Sequence, residues 1–394
     1  MKIGYVHFDR SEQKKYMAVM NRLSLGEGGA IDELGVGRIR DYYSDLMFPG
    51  ISSLHQHAKY FILLPLIYRK AITFRYQRLQ DVRPMIIKLE KALTKVLYEN
   101  STTKTGITGS GFIDRKDYVK YDPTYIYATG LYKFGIITCE SLEEMIFSAS
   151  RKYHERPVKL TASDNEDGDS NDLYNAYQFC HIPTDLGYDW ESASSLDMTE
   201  GESQFLIKHI TSSKVCQNTL LAHIINTRSD ISDTIEFEAF VEKYHSQLPE
   251  HLKNITKKAV YFAKLVDGLF LRYNYLFSGR TDDKKKEEFH EWVETVFNKH
   301  KEDICDSIKD IQIHDNGSIP FCMDAISAID TNDWDRLDDM IIRRERRIKQ
   351  TRSKIGSNIE TYRPDFPVHN YTIQYRWSTV RTLVGEIFNG LNNG

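Results

Sequence analysis

Phe48-Pro49-Gly50 divides the stretch that most constrains this chain. A residue before proline is pushed out of the α region and glycine supplies a turn, so no helix runs through these three positions. Upstream, Val36, Ile39, Tyr43 and Leu46 recur at spacings of three and four, the period of one helical face, with Arg38, Arg40, Asp41 and Asp45 between them. Downstream, a helix is expected from about Ser52 to Phe74, and its run from Tyr60 to Tyr68 carries no charge. Such a segment is buried on most sides, so the two helices need a helical core around them. Adjacent Arg40 and Asp41 read most simply as a buried or half-buried ion pair that fixes helix packing.

The remaining chain is mostly helical in pattern. Ile3 to Phe8 reads as a strand, and a helix from about Ser11 ends before the glycine-rich link 26–29. Further helices are expected from Val82 to Tyr98, from the Thr199 start with Glu200 and Glu202 in its first turn, from Leu252 to Phe277 and from Asp282 to Lys301. Asp122-Pro123 opens a short helix in which Ile126, Leu131 and Phe134 face inward; Gly135 ends it and Ile136 to Thr138 read as a strand. That order fits the end of a winged helix, whose second helix enters a DNA groove, and equally an ordinary helix-to-strand corner. The expected fold class is mainly α with a few short strands and a winged-helix-like unit in the N-terminal half. Ser163 to Asp172 is acidic and low in complexity; an EF-hand register there puts Tyr174 where the bidentate glutamate belongs, so it reads as a surface loop and a boundary. Three regions result, 1–160, 173–302 and 303–394.

Charge directs the search for partners. With 52 Lys and Arg against 56 Asp and Glu the net charge is −4, so nucleic-acid binding has to come from local patches. Two patches stand out. Between Arg69 and Lys95 there are eight basic residues, Arg75, Arg78 and Lys88 among them, against Asp81 and Glu90. From Asp335 to Gly356 one helix is expected, with Leu337, Ile341, Ile348 and Ile355 on one stripe and Arg343, Arg346, Arg347 and Lys354 opposite. Arg344 and Arg352 flank that stripe. Each patch reads either as a solvated face or as a row of cations that follows a phosphate backbone. The five cysteines (Cys139, Cys180, Cys216, Cys305, Cys322) lack zinc or redox spacing, which suits reduced, buried thiols in a cytoplasmic protein. The N-terminus has no signal-peptide pattern, and the apolar run is short of the roughly 20 residues that cross a bilayer.

Catalytic signals are sparse. His55 and His57 are two apart, which is not one face of a helix and makes a poor metal pair. His57-Ala58-Lys59 opens like a phospholipase-D-type nuclease motif, but Leu64 stands where its aspartate belongs. Asp114 and Lys116 have the acid-x-lysine spacing of metal-dependent nucleases, in which carboxylates hold Mg²⁺ and the lysine steadies the phosphate; Asp81 or Glu99 are the upstream acids that could complete it. Gly106, Gly109 and Gly111 lack the lysine of a P-loop. No cofactor or metal is expected from these patterns.

The residues around the corner resemble a bacterial family, domain of unknown function six-three-six-one. They are Asp32, Glu33, Leu34, Gly35, Gly37, Ile39, Arg40 and Asp41, then Leu46 and Phe48 to Gly50, then Tyr60, Phe61 and Pro65. Ile126, Tyr127, Leu131, Gly135 and Ile136 continue the match, as do the Leu196 to Leu206 stretch, Ala263 to Tyr273 and Tyr375 to Trp377. Relatives carry arginine at the position of His57. Members lie among restriction and anti-phage genes, which implies DNA-directed defence by association rather than mechanism. The expectation is therefore a non-enzymatic component of such a system that binds duplex DNA or partner proteins, with a metal-dependent nuclease or toxin-like effector as the alternative.

Overall fold

The computed structural model describes residues 32–115, 117–139, 141–155, 179–313, 317–356, 359–369 and 372–392. The expected strand at 3–8, the helix from Ser11, the link at 26–29, Lys116 and the acidic stretch 163–172 lie outside them. The principal helices in chain order are α1 (Gly37–Met47), α2 (Tyr60–Ile72), α3 (Val82–Asn100), α4 (Pro123–Lys133) and α5 (Leu142–His154). They are followed by α6 (Glu200–Ser212), α7 (Leu220–Thr227), α8 (Phe237–Tyr244), α9 (Glu250–Phe277) and α10 (Asp283–Trp292). The last four are α11 (Asn298–Asp306), α12 (Ser318–Asp330), α13 (Trp334–Lys349) and α14 (Trp377–Leu391). The protein is mainly helical. In place of short strands, the described residues hold one isolated bridge, Ile137 to Cys180.

The contacts divide the chain into two units that do not follow the linear order 1–160, 173–302, 303–394. One unit takes Met1–Met47 and Thr234–Tyr375, the other Phe48–Asp233 and Arg376–Gly394. The chain therefore leaves the first unit at the Phe48-Pro49-Gly50 corner.

In the first unit α9 is the central helix. It buries Leu252, Ala259, Phe262, Val266, Leu269, Tyr273 and Leu276, and it packs against α1, α8, α10, α11 and α13. Gly268 permits a close approach of α10, since a Cβ there would come within 2.4 Å of the Trp292 ring. The helix expected at 282–301 ends as such at Trp292, passes through a π turn at Val293–Phe297 and continues as α11.

The second unit is organised on α2, which buries every residue from Tyr60 to Tyr68 and packs against α3, α4, α5 and α6; α14 and α7 pack on α6. The corner is seated here. Gly50 has φ +81°, and Gly130 on α4 has no room for a Cβ because the Gly50 carbonyl oxygen and the Phe61 ring would each be 2.6 Å away. Phe48 packs its ring 5.9 Å from that of Trp377. The helix expected from Ser52 begins only at Tyr60. Asp122 caps α4 by accepting from Tyr125 N–H at 2.8 Å, and Gly135 follows it with φ +69°.

Candidate functional site

The residues before α1 form a hook, and each motif position in it has a distinct task. Both oxygens of Asp32 accept backbone hydrogen bonds, from Val36 N–H at 2.9 Å and Gly37 N–H at 2.5 Å, which satisfies donors that the first turn of α1 would leave open. Gly37 leaves room for that carboxylate: a Cβ there would come within 2.8 Å of Asp32 Oδ2. Gly35 turns with φ +64°, and a Cβ would come within 2.5 Å of Ile348 Cδ1 and 2.8 Å of Arg344 Nη2. The hook rests on α13. Arg344 donates to the Leu34 carbonyl at 2.8 Å, the Gly35 carbonyl at 3.2 Å and the Gly317 carbonyl at 3.0 Å. Glu33, 1% exposed, stands 3.3 Å from both Lys349 Nζ and Lys354 Nζ. Burial pulls the Lys349 ammonium below its usual range, and the charge and hydrogen bond of Glu33 oppose that fall.

A second buried carboxylate sets where α13 stops. Glu345 accepts from Tyr273 Oη at 2.8 Å, Ser353 Oγ at 2.7 Å, Lys354 N–H at 2.7 Å and Ile355 N–H at 3.1 Å. The chain past Lys349 is thereby folded back, with Gln350 at φ +51°, and the helix expected to reach Gly356 ends at Lys349. This corrects Lys354. It is not on the outer face of a helix; it is 9% exposed and spent on Glu33 and on Asp365 at 3.0 Å. Arg343, Arg346 and Arg347 are exposed as expected, and Arg343 pairs with Asp339 across one helical turn at 3.0 Å. Cations in a last helical turn are favoured by the helix dipole whatever else they do.

In the second unit, residues 52–59 form a turn held by histidine, tyrosine and lysine. His55 accepts from Ser52 N–H at Nδ1 (3.3 Å) and donates from Nε2 to the Ile126 carbonyl (3.1 Å), with its ring stacked on Tyr127. Burial pulls its pKa down to about 3, against the Ile126 hydrogen bond, so the ring is neutral. His57 places Nδ1 2.6 Å from Glu386 Oε1 and Nε2 2.8 Å from the Thr105 carbonyl. Burial works against its charge, but the Glu386 hydrogen bond and charge prevail and raise its pKa. Both ring nitrogens face acceptors, so His57 has no lone pair to offer a metal or a substrate proton. Lys59, 1% exposed, donates to Glu202 Oε2 and to the Asp197 carbonyl, each at 2.7 Å. Glu202 also accepts from Tyr188 Oη at 2.6 Å and from Thr199 N–H at 2.9 Å, completing a capping box on α6. His57 and Lys59 are thus structural.

The 69–95 cluster is partly consumed in the same way. Arg83 binds Asp122 at 2.5 Å, Lys70 binds Glu191 at 2.8 Å, and Arg69 donates to the Cys180 carbonyl at 3.2 Å. Arg75, Arg78 and Lys88 are exposed, and Arg78 meets Asp81 at 3.2 Å. Asp114 lies exposed in a turn, not on a strand, and its expected partner Lys116 is outside the described residues. Of the upstream acids, Asp81 pairs with Arg78 and Glu99 lies 3.8 Å from Lys95. Among the described residues no group of three His, Cys, Asp or Glu is placed to hold a metal, and no helix is long and apolar enough to cross a membrane. The glycine loop packs against side chains: a Cβ on Gly106 would come within 2.5 Å of His57 Nε2.

The model of a family of unknown function, DUF6361, matches residues 1–315. The chain belongs to that family. No curated protein and no solved structure matches it. The DUF6361 match takes in the hook, the corner, Lys59 and Glu202. It ends before α12, so Arg344, Glu345, Lys349 and Lys354, which hold the hook and close α13, lie beyond it.

Proposed function

We propose that this DUF6361 protein is a non-enzymatic DNA-binding component that meets the duplex phosphate backbone with Arg343, Arg346 and Arg347 on the outer side of α13. The observation that carries this reading is the division of labour on that helix. Arg344 and Glu345 tie the inner side to the hook and to Tyr273, while the three neighbouring arginines are exposed on the other side. A preordered row of guanidinium groups displaces counterions without losing much side-chain packing. Lys354 leaves the set because two carboxylates already hold it; Arg75, Arg78 and Lys88 are further exposed cations of the same kind. The winged-helix reading of 122–138 is set aside, since Pro123, Thr124, Ile126, Tyr127, Gly130 and Leu131 of α4 are buried and leave little face for a groove. A setting in anti-phage defence, with partner proteins of that system, rests on the family resemblance alone.

Changing Arg343, Arg346 and Arg347 to glutamine tests the reading. Duplex binding should weaken strongly and its salt slope should fall by about one per lost cation, with the melting temperature unchanged. An unaltered slope would remove α13 from the interface. Plasmid cleavage with Mg²⁺ or Mn²⁺ that disappears in Asp114→Ala would replace the binding reading with a nuclease.

A further inference from the structure

In the second unit, residues 118–124 run beside α3 and are pinned to it three times. The Tyr118 hydroxyl meets Thr94 Oγ1 at 3.1 Å, Thr124 N–H donates to Glu90 Oε1 at 2.7 Å, and Arg83 binds Asp122 at 2.5 Å. Gly109, with φ +85°, closes over Tyr118 so tightly that a Cβ would come within 2.6 Å of its ring. The pins engage Glu90 and Asp122, which are buried, and next to them lysines lie against tyrosine rings. Lys91 Nζ is 5.5 Å from the centre of the Tyr118 ring and Lys120 Nζ is 5.2 Å from that of Tyr121. Tyr121 and Tyr125 are half-buried with ring centres 5.1 Å apart, and Lys88 is exposed one turn before Lys91. Asp114 and Asp117 are exposed just before Tyr118 in the chain.

We propose that this edge of α3, which carries Lys88, Lys91 and Lys120 together with Tyr121 and Tyr125, is a binding surface for single-stranded nucleic acid. Cations alone would take any polyanion. Rings at the surface add a preference for a strand whose bases are unpaired, because stacking needs a free base face while the lysines follow phosphates. The helix α13 belongs to the other unit.

The test uses the full chain and a labelled oligothymidylate of about 20 nucleotides, read by fluorescence anisotropy against a duplex of equal length. The single strand should bind. Lys88→Gln with Lys120→Gln should lower its salt slope by about 1.4, at roughly 0.7 per cation. Tyr121→Leu, which keeps apolar bulk, should weaken binding about tenfold with the slope unchanged. The Arg343, Arg346 and Arg347 variant should keep single-strand binding, so the two surfaces fail separately. The proposal is overturned if oligothymidylate does not bind, or if the lysine variant keeps the wild-type slope. It is also overturned if Tyr121→Leu, shown folded by circular dichroism, binds like wild type, or if phosphatidylglycerol vesicles displace the strand. Lys88 and Lys120 are exposed, so their variants decide the matter even where Tyr121→Leu does not fold.

Discussion

Glu33 and Glu90 are both buried acids, one in each unit, and they are buried in opposite ways. Glu33 lies between two ammonium groups at 3.3 Å and ties the hook to the end of α13. Glu90 has one donor, Thr124 N–H at Oε1, and its Oε2 meets none. Burial first, and the neighbouring Asp122 carboxylate second, push its pKa up to about 8, against the hydrogen bond from Thr124 and the charge of Arg83. The difference shows two routes by which a helical core accepts a carboxyl group. One supplies counter-charge and becomes a lock; the other keeps the proton on and pays in pH sensitivity.

Removing the lock should have the largest effect. Glu33→Ala leaves Lys349 and Lys354 without the carboxylate between them, and among the described residues Lys354 keeps Asp365 as its ion-pair partner. A loss of about 3–5 kcal/mol in urea unfolding is expected, the range for stripping one partner from a buried pair. Adding Lys349→Met should recover a large part of it. A loss under about 1 kcal/mol would mean that water already solvates this cluster, and the contrast with Glu90 would disappear.

Glu90→Gln should act in the other direction. The folded state keeps the Glu90 proton up to about pH 8, whereas the unfolded chain releases it near the ordinary carboxylate value of 4.5. Stability from this group is therefore fully present below about pH 4.5, declines between that point and about pH 8, and is flat beyond. The neutral amide has no proton to lose. Wild type and variant should be similar at about pH 4, and the variant should be the more stable by several kcal/mol at about pH 9. Parallel pH profiles for the two proteins would show that Glu90 is solvated or paired, contrary to its geometry.

The two acids also show what could be read in the chain beforehand. The corner, the apolar α2, the capped starts of α4 and α6 and the exposure of Arg343, Arg346 and Arg347 follow from local spacing and local chemistry, and these are the features that the structure retains. Thr199 and Glu202 read in the sequence as a helix start with acids in its first turn, and the capping box that they form is seen only in the structure. Lys59 as the third member is not legible either, because it is 143 positions from Glu202. Lys354 differs from the expectation for the same reason: periodicity continues α13 to Gly356, whereas Glu345, accepting from three later residues, accompanies its end at Lys349. Spacing argues against His57 as a metal ligand or nuclease residue but cannot name its partner Glu386, 329 residues away. Long-range pairing, not helix formation, is what spacing fails to reveal here.

Arg40 and Asp41 give the smallest expected effect and mark the lower end of this scale. Arg40 donates from Nε and Nη2 to Asp41 Oδ1 at 3.0 and 2.9 Å, and the two side chains are 24% and 23% exposed. Both side chains reach solvent, which screens part of the attraction. Arg40→Ala should therefore cost about 1 kcal/mol, well below Glu33→Ala, when measured by the same urea titration. A cost above about 3 kcal/mol would make Arg40 a second lock of the Glu33 kind. A variant with wild-type stability that no longer binds duplex DNA would place Arg40 in the interface instead, and α1 would then have to be added to the surface assigned to α13.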